Sequence, residues 1–150
     1  MTLHRCGLLL FLLFPMASLV ADSDRKHVVL DPSATRSKFP FSDAVFVGNT
    51  LYLAGTVGFD KDGKLPATPE EEAKLAMENV KKVLESQGMS MDDLVSVQVF
   101  STDFSLYDKF NGVYRTYFHE QFPARAFIGA ASLIRGAHFE LMGIAVKRKD

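Results

Sequence analysis

The sequence predicts an α+β domain: one mainly antiparallel sheet with two helices packed on one of its faces. Three observations carry that expectation. Strand-like runs outnumber helical ones, in the order strand, hairpin, helix, strand, helix, strand, strand. No glycine fingerprint joins a strand to a helix, and no internal repeat divides the chain. At 150 residues, the length is that of a single domain.

The N-terminal stretch stands apart from this fold. Met1 to Arg5 is short and basic, Gly7 to Val20 is almost wholly apolar, and Ala21 leads into Asp22-Ser23-Asp24-Arg25-Lys26. That is the pattern of a secretory signal peptide, expected over residues 1–21 with cleavage after Ala21. The expected location is secreted or periplasmic, with no stable membrane anchor after cleavage. The apolar run is shorter than the roughly 20 residues of a spanning helix. An uncleaved anchor stays open as the alternative, because Leu19 is larger than the residue usual at its position. Removing residues 1–21 takes away Arg5 and no acid, leaving 16 basic and 18 acidic side chains and a net charge of −2. The basic footprint of a nucleic-acid binder is absent, so no nucleic acid is expected as a partner. Cys6 is the only cysteine, and the cleaved chain would have no disulfide, thiol chemistry or cysteine metal site.

Residues 22–38 read as an N-terminal strand and linker. Lys26 to Asp31 is a short edge strand ended by Pro32, and residues 39–150 form the domain proper. Ala44–Val47 and Thr50–Ala54 flank Gly48-Asn49, a two-residue hairpin signal. Gly55-Thr56-Val57-Gly58 follows. A glycine there marks a bulge or a close ligand approach, and the run lacks the lysine and spacing of a phosphate loop. Asp60-Lys61-Asp62-Gly63 is a turn without the later acids of a calcium loop. Thr68-Pro69-Glu70-Glu71 starts a helix: an N-cap threonine, proline at the first position and glutamate at the third. Ala73, Ala76, Met77, Val80, Val83 and Leu84 share its apolar face, the Glu/Lys face is expected in solvent, and Gly88 stops it.

Leu94 to Ser101 alternates as a strand. A second helix is expected from Phe104 to His119, with a core-facing aromatic stripe and Asn111 beside that stripe. Asparagine is a poor helix former, which points to a polar role. His119-Glu120 lacks a third metal ligand and reads as surface. Strands Ala124–Ala131 and His138–Val146 complete the fold. Each carries a charge unsuited to an apolar strand, Arg125 and Glu140. Burying either costs several kcal/mol unless it is paired or binds a ligand. Two readings compete: a structural ion pair or charges that simply reach the sheet edge, against a site in which arginine grips a carboxylate and glutamate holds water. Val45, Val47, Leu51, Leu53, Val97 and Val99 cannot all be buried beneath two helices, so the other face is expected to meet another subunit.

VGNTLYLAGTVG, Met77-Glu78-Asn79-Val80, DLVSVQVFSTD, FNGVYRTYF, FPAR and FELMGIAV together resemble the RidA/YjgF family of imine deaminases, also called the endoribonuclease L-PSP family. The likeness covers about Phe39 to Arg148, and PAR followed 15 residues later by glutamate is its most specific part. It implies a chorismate-mutase-like fold, a homotrimer and three sites in the clefts between subunits. It further implies hydrolysis of 2-enamine and 2-imino acids, such as 2-aminoacrylate, to 2-oxo acids and ammonia, without metal or cofactor. On that resemblance Arg125 binds the substrate carboxylate and Glu140 positions water. Asn111, Gly55 and the backbone amide of Phe127 complete the site. Phe41 stands where the family has a tyrosine and Ala54 where it has a serine, so two hydroxyls are lost. A more apolar pocket follows, with preference for a bulkier side chain or slower turnover. The alternative function is a non-catalytic trimer that binds or senses a small carboxylate.

Overall fold

The computed structural model describes residues 25–31, 39–119 and 121–148. The expected signal peptide and most of the linker lie outside them. Six strands form one sheet: β1 (Arg25–Val28), β2 (Ala44–Val47), β3 (Thr50–Val57), β4 (Leu94–Ser101), β5 (Ala124–Gly129) and β6 (Phe139–Val146). Two helices, α1 (Pro69–Ser86) and α2 (Tyr107–Tyr114), pack against it. The strand order is β1-β2-β3-β6-β4-β5. Every pairing is antiparallel except β4 with β5, which run parallel and are joined through α2. The α+β class and the two-helix cover are as the pattern predicts.

Local chemistry explains the boundaries. Gly48 supplies the positive φ of 60° that turns β2 into β3. The Thr68 hydroxyl accepts from the Glu71 N–H at 3.2 Å, Pro69 needs no donor, and Glu70 to Glu72 sit at the positive end of α1. Beyond Val28 the β1–β2 ladder stops, because the Asp43 carboxylate takes the Leu30 N–H at 2.9 Å. That side chain ends β1 three residues before the expected Asp31. The second helix is also shorter than expected. Only Tyr107–Tyr114 is α-helical, between single 3₁₀ turns at Phe104–Leu106 and Arg115–Tyr117. Asp103 caps the first turn through the Ser105 N–H, and the Thr116 hydroxyl donates to the Val113 carbonyl at 2.7 Å where the regular helix gives out.

The core requires one correction. Leu51, Leu53, Val97 and Val99 are 0–5% exposed between the sheet and the helices. They are the covered face, not the face in need of a partner. Strand alternation sends Val45, Tyr52, Gln98, Met142 and Ile144 to the opposite side. Tyr52 and Met142 remain exposed there, and no element of the described chain covers that face.

Candidate functional site

Arg125 lies on β5, the edge strand, in register with Val97. Val97 is buried under the helices, so Arg125 projects to the helix side, as does Phe127 opposite Val99. Asn111, nearly buried on α2, accepts one N–H of the guanidinium on its Oδ1 at 2.7 Å. Three residues along the helix, the Tyr114 ring lies 4.5 Å from the guanidinium carbon. Tyr107 and Phe127 flank it at 5.9 Å each. A guanidinium tolerates such aromatic surroundings because its charge is delocalised and weakly hydrated. Among the described residues no carboxylate pairs with Arg125, which removes the structural ion-pair reading. Instead the fork borders a cleft of about 190 Å³ lined by Asn111, Tyr114, Arg115, Phe122, Pro123 and Arg125.

Glu140 points the other way. Its neighbours Phe139 and Leu141 are 0% and 1% exposed against the helices, so alternation turns Glu140 to the open face. There it stands between Val57 of β3 and Phe100 of β4. Its carboxylate rests on Gly55, where an added Cβ would come within 2.0 Å of Oε1. The register of β3 against β6 shifts between Leu53 and Thr56, and Gly55 occupies that bulge. The expectation of a bulge or close approach at this glycine is met, and what approaches is the glutamate. Ala54 and Phe41 line a broad groove on the same face with Phe39, Val45 and Tyr52. The Phe39 and Phe41 rings lie 5.6 Å apart.

The seven expected site residues therefore separate into two groups. Arg125, Asn111 and Phe127 gather at the β5 edge on the helix side. Glu140, Gly55, Ala54 and Phe41 gather on the open face. Within one chain the sheet stands between them.

Two further residues escaped the sequence reading: Tyr114, which joins the Arg125 group, and Glu72, which lies outside both groups. Tyr114, one of the aromatic residues of the α2 stripe expected to face the core, is 3% exposed, and its ring also carries the arginine. Its hydroxyl is buried without a partner among the described residues, and burial pushes its pKa up to about 12 despite nearby Arg125. The signal was its i+3 spacing from Asn111. Glu72 was expected in solvent with the other α1 acids and is instead 1% exposed. Its place one residue before Ala73, at the margin of the apolar stripe, was the clue.

The remaining polar motifs are structural. His119 pairs with Asp92 at 3.1 Å on the surface, and the backbone N–H of His119 holds the Asp92 carboxyl below its ordinary pKa. Asp60 Oδ1 takes the N–H groups of Asp62 and Lys64 and closes the turn. The described residues contain no group of three side chains able to hold a metal ion.

Residues 32–147 match the family model described as endoribonuclease L-PSP. The 2-iminobutanoate/2-iminopropanoate deaminase of Dermatophagoides farinae is 36% identical over 81% of this chain and 96% of its own. The mouse protein of the same name is 36% identical over 81% and 92%. Among solved structures, the Escherichia coli YjgF gene product superposes with a TM-score of 0.70 at 30% identity, covering 73% of this chain and 89% of that one. Escherichia coli TdcF, solved with bound serine, gives 0.71 at 28% identity, covering 73% and 90%.

Proposed function

The chain belongs to the endoribonuclease L-PSP (RidA/YjgF) family, and from that premise we propose that it hydrolyses reactive 2-enamine and 2-imino acids to 2-oxo acids and ammonia. One observation carries the site assignment. Arg125 and Glu140 are charges without an ionic partner among the described residues, on opposite faces of one sheet, and a second copy laid on the open face would bring them together. The site is then an inter-subunit cleft, and the assembly a homotrimer. The number three rests on the family resemblance; a head-to-tail ring of that size joins each β5 edge to the next open face throughout.

In that cleft Arg125 grips the substrate carboxylate with the edge of the fork that Asn111 leaves free. Because β5 pairs only with β4, the outward backbone of Phe127 is available to the ligand. The imine carbon is already electrophilic, so little activation is required. Glu140 takes a proton from a bound water as its oxygen attacks that carbon, giving a carbinolamine. That proton and then the carbinolamine hydroxyl proton pass through Glu140 to nitrogen, the C–N bond breaks as the C=O bond forms, and ammonia leaves a 2-oxo acid. Water is the only co-reactant, and no redox change occurs. Phe41 and Ala54 offer no hydroxyl, so the wall beside Glu140 is apolar and suits a larger aliphatic side chain. A missing polar contact to the transition state raises the barrier by about 2–4 kcal/mol, which slows the reaction roughly 30- to 1000-fold.

The same missing hydroxyls favour a second reading, a trimer that binds a small carboxylate without turnover. Iminopropanoate and its larger homologues, made in situ by an amino-acid oxidase and trapped with semicarbazide, separate the two. Acceleration of decay supports the deaminase. Stabilisation by 2-oxobutyrate with no acceleration of any imine supports the binder. Export through residues 1–21 remains part of the proposal, and N-terminal sequencing of the protein made in a secreting host tests it, with residue 22 as the expected start.

A further inference from the structure

Glu72 belongs to neither half of the site, yet it is the one carboxylate buried among the described residues. A carboxylate is costly to bury unless several donors meet it. Here three do. Oε1 accepts the backbone N–H groups of His138 at 2.7 Å and Phe139 at 3.0 Å, and Oε2 lies 2.6 Å from the His138 ring Nδ1. Two consecutive N–H groups converge on one oxygen. A regular strand cannot do this, because its N–H groups alternate in direction. The acceptor therefore bends the chain where it enters β6, immediately before Glu140.

The same turn of α1 fixes the neighbouring strand. A Cβ at Gly58 would lie 2.0 Å from the Glu72 carbonyl oxygen, so the chain leaving β3 packs directly on the helix backbone. Two turns along the same face, Asn79 donates to the Val57 carbonyl at 3.0 Å. Val57 is the β3 partner of Glu140. The first three turns of α1 thus hold both chain segments that set where the Glu140 carboxylate meets Gly55.

We infer that Glu72 is a positioning residue for Glu140, acting through the bend it imposes at His138 and Phe139. The inference rests on the proposed water-holding role of Glu140. What the clamp needs is an oxygen at glutamate's reach. The neutral isostere should preserve it, and the shorter acid should not. Glu72→Gln keeps Oε1 in place, and its amide N–H donates to Nδ1 once His138 carries its proton on Nε2. Glu72→Asp keeps the charge and withdraws the oxygen by one methylene, about 1.5 Å.

Misplacement of a catalytic group by about 1 Å costs on the order of 10²-fold. Glu72→Asp should therefore lower kcat by roughly 10- to 100-fold while KM, set at Arg125, stays within about threefold. Glu72→Gln should hold kcat within about threefold of the native enzyme. A mere structural anchor would predict changes in Tm without this split or this order. Amide exchange at residues 138–141 reads the clamp without any turnover, and should quicken in Glu72→Asp and not in Glu72→Gln. An Asp variant as active as the Gln variant overturns the inference. If Glu72→Asp does not fold, a tenfold loss of kcat in folded Glu72→Gln overturns it instead. If the native protein turns over no imine, the deaminase reading fails first. Unchanged exchange at residues 138–141 in Glu72→Asp then defeats the clamp separately.

Discussion

Gly55→Ala should leave the fold intact and remove the activity. Gly55 is exposed and does not have a positive φ, so the backbone accepts alanine. Restricting the unfolded chain adds about 0.4–1 kcal/mol of stability at such a position. The obstacle is functional. The new methyl would sit 2.0 Å from Glu140 Oε1, and ordinary contact needs well over an ångström more. The carboxylate end of a flexible side chain moves cheaply, so stability does not record the clash. Turnover does, because a shift of about 1 Å in the water-holding group costs on the order of 10²-fold. Steady-state kinetics on iminopropanoate should show kcat falling about 100-fold, with 2-oxobutyrate binding through Arg125 preserved. Thermal melts should show Tm unchanged or slightly raised. A Gly55→Ala enzyme with kcat within threefold of native would show that Glu140 does not act from its seat on Gly55.

Other perturbations separate the two faces of the sheet. Val99→Asp places a charge at a fully buried position and should unfold the protein, whereas Met142→Asp on the open face should yield a folded monomer. Circular dichroism with light scattering distinguishes these outcomes. Tyr114→Phe removes a buried hydroxyl without a partner among the described residues and should keep KM while raising stability by up to about 1 kcal/mol. Tyr114→Leu removes the ring under Arg125 and should raise KM about 5- to 30-fold, the range of a desolvated cation–π contact of 1–2 kcal/mol. The raised pKa of Tyr114, pushed up to about 12 by burial, gives alkaline unfolding a defined sign. Between pH 10 and about 12 the unfolded tyrosine loses its proton while the native one keeps it, so stability falls as pH rises. Tyr114→Phe should weaken that dependence without abolishing it, because burial and the hydrogen bond to Glu78 raise the Tyr117 hydroxyl as well. Urea melts at pH 9 and 11 measure the difference.

The sequence announces elements whose signals are local. Thr68 and Pro69 start α1 because a side-chain acceptor and a donorless residue satisfy a helix terminus by themselves, and Leu94–Ser101 alternates cleanly enough for both ends to be read. Arg125 and Glu140 stand out because an apolar strand has no use for an unpaired charge. Facing is less legible. Alternation separates the two sides of a strand but does not say which side the helices cover. That depends on where the chain crosses over, so the pattern groups Val45 with Val97 and Val99 although they lie on opposite faces. Glu72 carries the same ambiguity, since a first-turn glutamate suits the helix dipole whether exposed or buried. Its partners lie 66 and 67 residues away. Tyr114 is invisible for a different reason: one ring is both core and support for a cation, and its spacing serves either role.

The central claim is that Arg125 of one subunit and Glu140 of another complete one site. Complementation between two inactive variants tests it most directly. Arg125→Ala and Glu140→Gln should each be inactive as pure assemblies. Unfolded together in equal amounts and refolded, they should form mixed trimers by chance. About a quarter of the inter-subunit clefts would then hold an intact arginine and an intact glutamate, and about a quarter of native deaminase activity should return. Mixtures as inactive as their components, in assemblies shown by mass to contain both chains, would place the two residues in separate roles and contradict the account.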